Sequence, residues 1–141
     1  MALFINEFCT RDCPDSMNGY NIGGDYIEIY NSGPDEVNLT GWKISDSENI
    51  TTITNNYENN YAFSILEPNQ FLIIRADEAL GETTTDYGWT NNIFDVPWKL
   101  GGSDRITLTN PSGDIVDEYI YTAHPCENDS GLVWAREYDG G

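Results

Sequence analysis

The chain has 141 residues, the size of one domain, and carries 24 Asp and Glu against six Lys and Arg, for a formal net charge of −18. A field of that sign repels the phosphate backbones that proteins bind mainly through Lys and Arg, and it repels anionic lipid headgroups, so no nucleic-acid partner is expected. No run of eighteen apolar residues occurs, and no membrane-spanning helix is expected.

In chain order, the first extended segment is residues 3–8, apolar except for Asn6 and Glu7. A loop rich in Gly, Asn and Asp follows over 12–24. Next comes Asp25-Tyr26-Ile27-Glu28-Ile29-Tyr30-Asn31, whose alternation sets Ile27 and Ile29 on one face and Tyr26, Glu28 and Tyr30 on the other. That is the period of a half-buried strand. Ser32-Gly33-Pro34-Asp35 marks a turn, and short extended pieces are expected at 37–39, 41–46 and 50–53.

Phe71-Leu72-Ile73-Ile74 is a continuous apolar run, as in a strand buried on both faces. Residues 77–92 read as a long loop with one helical turn near 77–80, and the chain is expected to re-enter the sheet at 96–100. Residues 105–109 alternate cleanly, Asn110-Pro111-Ser112-Gly113-Asp114 is a hairpin turn, and 115–121 is its returning strand. Residues 132–136 form the last strand. No segment keeps the i, i+3, i+4 spacing of an amphipathic helix over three turns. Around nine short strands between turn signals indicate an all-β sandwich or barrel, and residues 1–141 read as a single domain.

Catalytic motifs are sparse. His124 is the only histidine, it precedes Pro125, and no G-x-S-x-G occurs, which removes the usual triads and dyads. Glu7 and Glu28 are expected on pairing strands, and neighbouring carboxylates suit acid–base chemistry or a metal. With no other element building a cleft, the favoured reading is a structural ion pair of Glu7 and Glu28 with Arg136, and no enzyme activity is expected. Acidity keeps a protein soluble, and no cofactor is required. A Ca²⁺ site on Glu7, Asp25 and Glu28 is the competing expectation. Tyr87, Trp89 and Trp98 are candidates for stacking against a sugar ring, while the core is expected to use Trp42, Trp98 and Trp134. Cys9, Cys13 and Cys126 allow one disulfide, with its pairing left open, in an oxidising compartment.

Several strings, taken in order, resemble a lamin-tail domain of the bacterial type. They are Ile5-Asn6-Glu7, the 25–31 strand, Val37-Asn38-Leu39-Thr40-Gly41-Trp42-Lys43-Ile44-Ser45-Asp46, Leu66-Glu67-Pro68-Asn69-Gln70-Phe71-Leu72-Ile73-Ile74, and the stretch from Leu100 through Gly113 to Asp117. Asn69 stands where that family usually has Gly. The resemblance covers about residues 3–140 and implies an immunoglobulin-like antiparallel β-sandwich of about 8–9 short strands. It also implies a non-enzymatic add-on module of a larger secreted or surface protein, with neighbouring domains or a surface or extracellular partner as its contacts. An extracytoplasmic location follows, with any export signal expected upstream of Met1. The alternative is a carbohydrate-binding module assisted by Ca²⁺.

Overall fold

The computed structural model describes residues 3–10, 16–17, 20–21, 25–54, 64–76, 88–90, 93–98, 100, 104–121 and 134–135. Two sheets carry the fold. The larger contains β1 (Leu3–Cys9), β4 (Asp25–Asn31), β9 (Phe71–Ala76), β10 (Gly88–Thr90), β11 (Ile93–Val96) and β14 (Trp134–Ala135), in the order β10-β11-β9-β4-β1-β14. The smaller contains β6 (Lys43–Ser45), β7 (Ile50–Thr52), β12 (Asp104–Thr109) and β13 (Ile115–Tyr121), in the order β13-β12-β6-β7. Two further strand pairs are β2 (Ser16–Met17) with β3 (Tyr20–Asn21), and β5 (Val37–Asn38) with β8 (Ile65–Leu66). No helix falls among the described residues.

The alternation of the sequence fixes which side of each strand meets the core. Ile27, Ile29, Leu72 and Ile74 from the larger sheet and Ile44, Ile106 and Leu108 from the smaller are all at most 3% exposed and share one apolar cluster with Trp42. Phe8 bridges the sheets, its ring centroid 5.4 Å from that of Tyr119 and 5.1 Å from that of Tyr121. The Ile5 amide donates across the sandwich to Asp117 Oδ2 at 2.8 Å.

Three expectations need correction. The strand at β4 is not half-buried: Tyr26 to Asn31 are all buried, because the larger sheet is covered on its outer face as well. There Cys9, Tyr26, Ile73 and Ile93 form a second, smaller apolar cluster. The sandwich is not wholly antiparallel either, since β11 runs parallel to β9, with Ile93 opposite Ile73 and Val96 opposite Ala76. Finally, the presumed 77–92 loop contains β10, paired with β11 through Trp89 and Phe94. The expected re-entry at 96–100 therefore starts three residues early, at Ile93, and Trp98 and Leu100 are core side chains outside any strand. The expected helical turn at 77–80 lies outside the described residues.

A bulge decides the geometry of the Ile5-Asn6-Glu7 string. The β1–β4 register shifts between Ile5, which faces Ile29, and Glu7, which faces Glu28, leaving Asn6 as the additional residue. Residues two apart normally share a face; here Ile5 and Phe8 both enter the core while Glu7 points outward with Glu28. The turn before β9 also has a local cause. Asn69 has φ 67°, in the left-handed region where Gly or Asn is favoured, so Asn suits the position usually held by Gly. Its side-chain oxygen accepts from the Tyr30 hydroxyl at 2.9 Å.

Candidate functional site

The polar residues of interest lie on the outer face of the larger sheet, placed there by alternation along β1, β4, β9 and β11. Glu7 and Glu28 are direct cross-strand partners, as the sequence led us to expect. Their carboxylates take separate donors: the Tyr26 hydroxyl donates to Glu7 Oε1, and Asn6 Nδ2 donates to Glu28 Oε1 at 2.8 Å. Glu28 is 2% exposed. Burial pushes the Tyr26 phenol well above its usual range, and the hydrogen bond it donates to Glu7 together with the negative charges of Glu7 and Glu28 adds to that rise. Arg136, the third member of the expected ion pair, lies outside the described residues.

One strand further along, Arg75 and Asp95 stand opposite each other on β9 and β11. Arg75 Nε and Nη2 meet Asp95 Oδ1 and Oδ2 at 2.5 and 2.7 Å, a two-pronged pair in which Asp95 is 2% exposed. The sequence reading missed this pair. Its signal was available in Asp95, a carboxylate inside the otherwise apolar Ile93-Phe94-Asp95-Val96, since a buried charge requires a partner.

The Ca²⁺ ligand set does not converge. Asp25 lies on the opposite face of β4 from Glu28, by the same alternation that puts Ile27 in the core. Its Oδ2 accepts from the Leu100 amide at 2.9 Å. Its charge is felt instead at Tyr121, whose phenol is raised first by burial and then by Asp104, Asp25 and Asp46. Asp46 is a turn carboxylate, accepting from the amides of Glu48 and Asn49 at 2.8 and 2.6 Å. Among the described residues no group of three or more His, Cys, Asp or Glu is placed to hold a metal. The residues proposed for Ca²⁺ therefore do not fit the ion together.

The aromatic set is divided as well. Trp98 is 6% exposed, belongs to the core, and donates from Nε1 to Thr51 Oγ1 at 2.9 Å. Trp89 is half-buried against the same core, edge-on to Phe94 at 5.4 Å, with Nε1 donating to the Thr54 carbonyl. Tyr87 lies outside the described residues. Trp98 is thus a packing residue and not a stacking platform, because its ring is covered on the side a sugar would need.

Across the described residues, no buried side-chain nitrogen or oxygen lacks a partner. An acid or base poised for chemistry normally keeps a reactive atom open to substrate, whereas the named carboxylate oxygens here are engaged by neighbours that fix strand to strand. Cys9, buried on this same face, is disulfide-bonded. Cys13 and Cys126 lie outside the described residues. No helix among the described residues is long and apolar enough to cross a membrane.

Comparison with curated proteins returned no match. Comparison with protein families matches residues 2–123 to the Lamin Tail Domain, a span that takes in every strand from β1 to β13. With the two packed sheets and the satisfied polar layer just described, the chain belongs to the Lamin Tail Domain family of non-catalytic, immunoglobulin-like domains.

Proposed function

We propose that this chain is an interaction or tethering module of a larger extracytoplasmic protein, and that it carries out no reaction of its own. The observation that carries the reading is the family membership. The hydrogen bonds that tie Glu7, Glu28, Asp25 and Asp95 to neighbouring side chains and an amide support it, since these carboxylates link strand to strand and strand to loop. The disulfide at Cys9 supports the extracytoplasmic part, because such bonds persist in oxidising compartments and are rare where thiols are kept reduced.

The carbohydrate-binding alternative draws less support, with Trp98 in the core and Trp89 held by Thr54 and Phe94. The test is deletion of residues 1–141 from the full-length protein in its native cell, followed by separation of retained and released material. Release of a protein whose remaining domains keep their activity is the expected result, and unchanged retention overturns the tethering role. Turnover of an ester, phosphoester or glycoside by the isolated chain, abolished in Glu7→Gln or Glu28→Gln, would overturn the non-catalytic role.

A further inference from the structure

Among the described residues four large apolar side chains are exposed, and three of them sit on the two edge strands of the smaller sheet: Ile50 at 64%, Ile115 at 63% and Ile120 at 59%. The register fixes what surrounds them. Ile44, Ile106 and Leu108 face the core, so the alternate positions of β6, β7, β12 and β13 face outward in rows across the strands. One row carries Lys43 and Ile115, the next Ile50 and Glu118, and the third Arg105 and Ile120. Thr and Ser fill the positions between. Thr107, at the centre and itself buried between these side chains, donates from Oγ1 to Glu118 Oε2 at 2.9 Å.

The charge on this face is unlike that of the rest of the described chain, which has thirteen carboxylates and three cationic side chains. Arg75 is bound to Asp95 on the other sheet. The remaining two cations, Lys43 and Arg105, both stand here, beside the single carboxylate of Glu118. Over the outward positions of the described strands the balance is positive, Lys43 and Arg105 against Glu118, among exposed aliphatic side chains, while the carboxylates of Asp46, Glu48, Asp104 and Asp114 stand at the strand ends around it. Two copies meeting through carboxylate-rich surface repel each other at short range. Through this face they need not. A two-fold axis running diagonally over Thr107 and Ile120, midway between Arg105 and Glu118, sets Arg105 of each copy opposite Glu118 of the other and Ile120 against Ile120.

We infer that the outer face of the smaller sheet is a self-association surface, pairing sheet on sheet with the same face of a second copy through reciprocal Arg105–Glu118 pairs around Ile120. The inference goes beyond the tethering role and does not rest on it. Three outward rows on four short strands suit a weak, transient interface, so a dissociation constant of roughly micromolar order is expected. The bodies still repel at long range. Dimerisation therefore strengthens as salt rises from about 0.01 to about 0.15 M and the Debye length shortens from roughly 30 to roughly 8 Å.

Sedimentation velocity on the isolated chain from about 5 to about 500 µM, at both salt concentrations, reads the equilibrium directly. Arg105→Glu and Glu118→Arg, each confirmed to be folded by circular dichroism, should each weaken dimerisation by at least about tenfold through like-charge contact. The double variant carrying both changes restores opposite charges across the axis and should recover the dimer. Ile120→Glu should abolish it. A chain that stays monomeric at the highest concentration in both salts overturns the inference. So does a dimer indifferent to Ile120→Glu, or one that the double charge exchange fails to recover.

Discussion

The two sheets share a core but treat their outer faces in opposite ways. On the larger sheet, Tyr26, Glu28, Ile73 and Asp95 are between 0% and 2% exposed, and every charged group described there has a fixed neighbour. On the smaller sheet the equivalent positions include Ile115 and Ile120, each more than half exposed, and a Thr and Ser surface with few charges. Identical side chains, Ile73 and Ile120, are thus structural on one face and available on the other. A strand's alternation says which residues share a side; it does not say whether that side is covered. The difference matters for function, because buried polar layers hold a fold in register while exposed apolar faces meet partners.

The strongest way to break this comparison is to remove one partner of the buried ion pair. Arg75→Met keeps the length of the side chain but leaves Asp95 buried without its cation, and should cost about 3–5 kcal/mol. Denaturant unfolding measures it. A loss under about 1 kcal/mol would mean that water reaches Asp95 and that the outer face is less enclosed than its burial indicates. Next in size is Ile73→Ala, which opens a cavity in the second apolar cluster and should cost about 2–4 kcal/mol.

A smaller and conditional effect comes from the two buried phenols. Tyr26 and Tyr121 both have folded-state pKa values raised above the ordinary 10.0, burial being the first cause in each case. Below pH 10 both states keep the proton and the full stabilisation is present. Above it the unfolded chain loses protons that the folded chain retains, so stability falls as pH rises toward the folded values. Melting temperatures taken from about pH 8 to about pH 11 should be flat at first and then decline. Tyr26→Phe should make that decline shallower, while lowering stability at neutral pH through loss of the bond to Glu7. A decline of equal steepness in the variant would assign the alkaline effect to other groups.

Much of this was legible in the sequence, and the misses have common physical causes. Strands with clean alternation or turn residues at both ends, such as β12, β13 and β4, were found where they occur, as was the pairing that sets Glu7 opposite Glu28. The parallel β11 was missed because a parallel neighbour is made by a crossover of any composition, which leaves no local pattern. Its hairpin with β10 did leave one, Asn91-Asn92 between two β-prone triplets, and it was passed over as loop. The Ca²⁺ set failed on face parity: Asp25 and Glu28 are three apart on one strand and so lie on opposite sides. Trp98 was open to two readings, core filler or stacking platform, because a large aromatic beside a long loop suits either, and its ring lies in the core as the first reading expected.

The last and smallest effect completes the comparison. Ile120 lies 59% exposed on an edge strand, so truncation removes few contacts and leaves no cavity. Ala has a weaker β-propensity than Ile, which adds a further loss of about a few tenths of a kcal/mol at an exposed position. In dilute solution, where the monomer dominates, Ile120→Ala should therefore change unfolding stability by no more than about 0.5 kcal/mol, against about 2–4 for the same substitution at Ile73. Repeating the Ile120→Ala measurement near 500 µM, a concentration chosen to lie roughly well above a micromolar dissociation constant, adds the dimer. Self-association stabilises the parent chain by mass action, so the gap between parent and variant should widen with concentration. Equal stability loss at both concentrations would place Ile120 in the monomer's own packing and erase the distinction between the two faces.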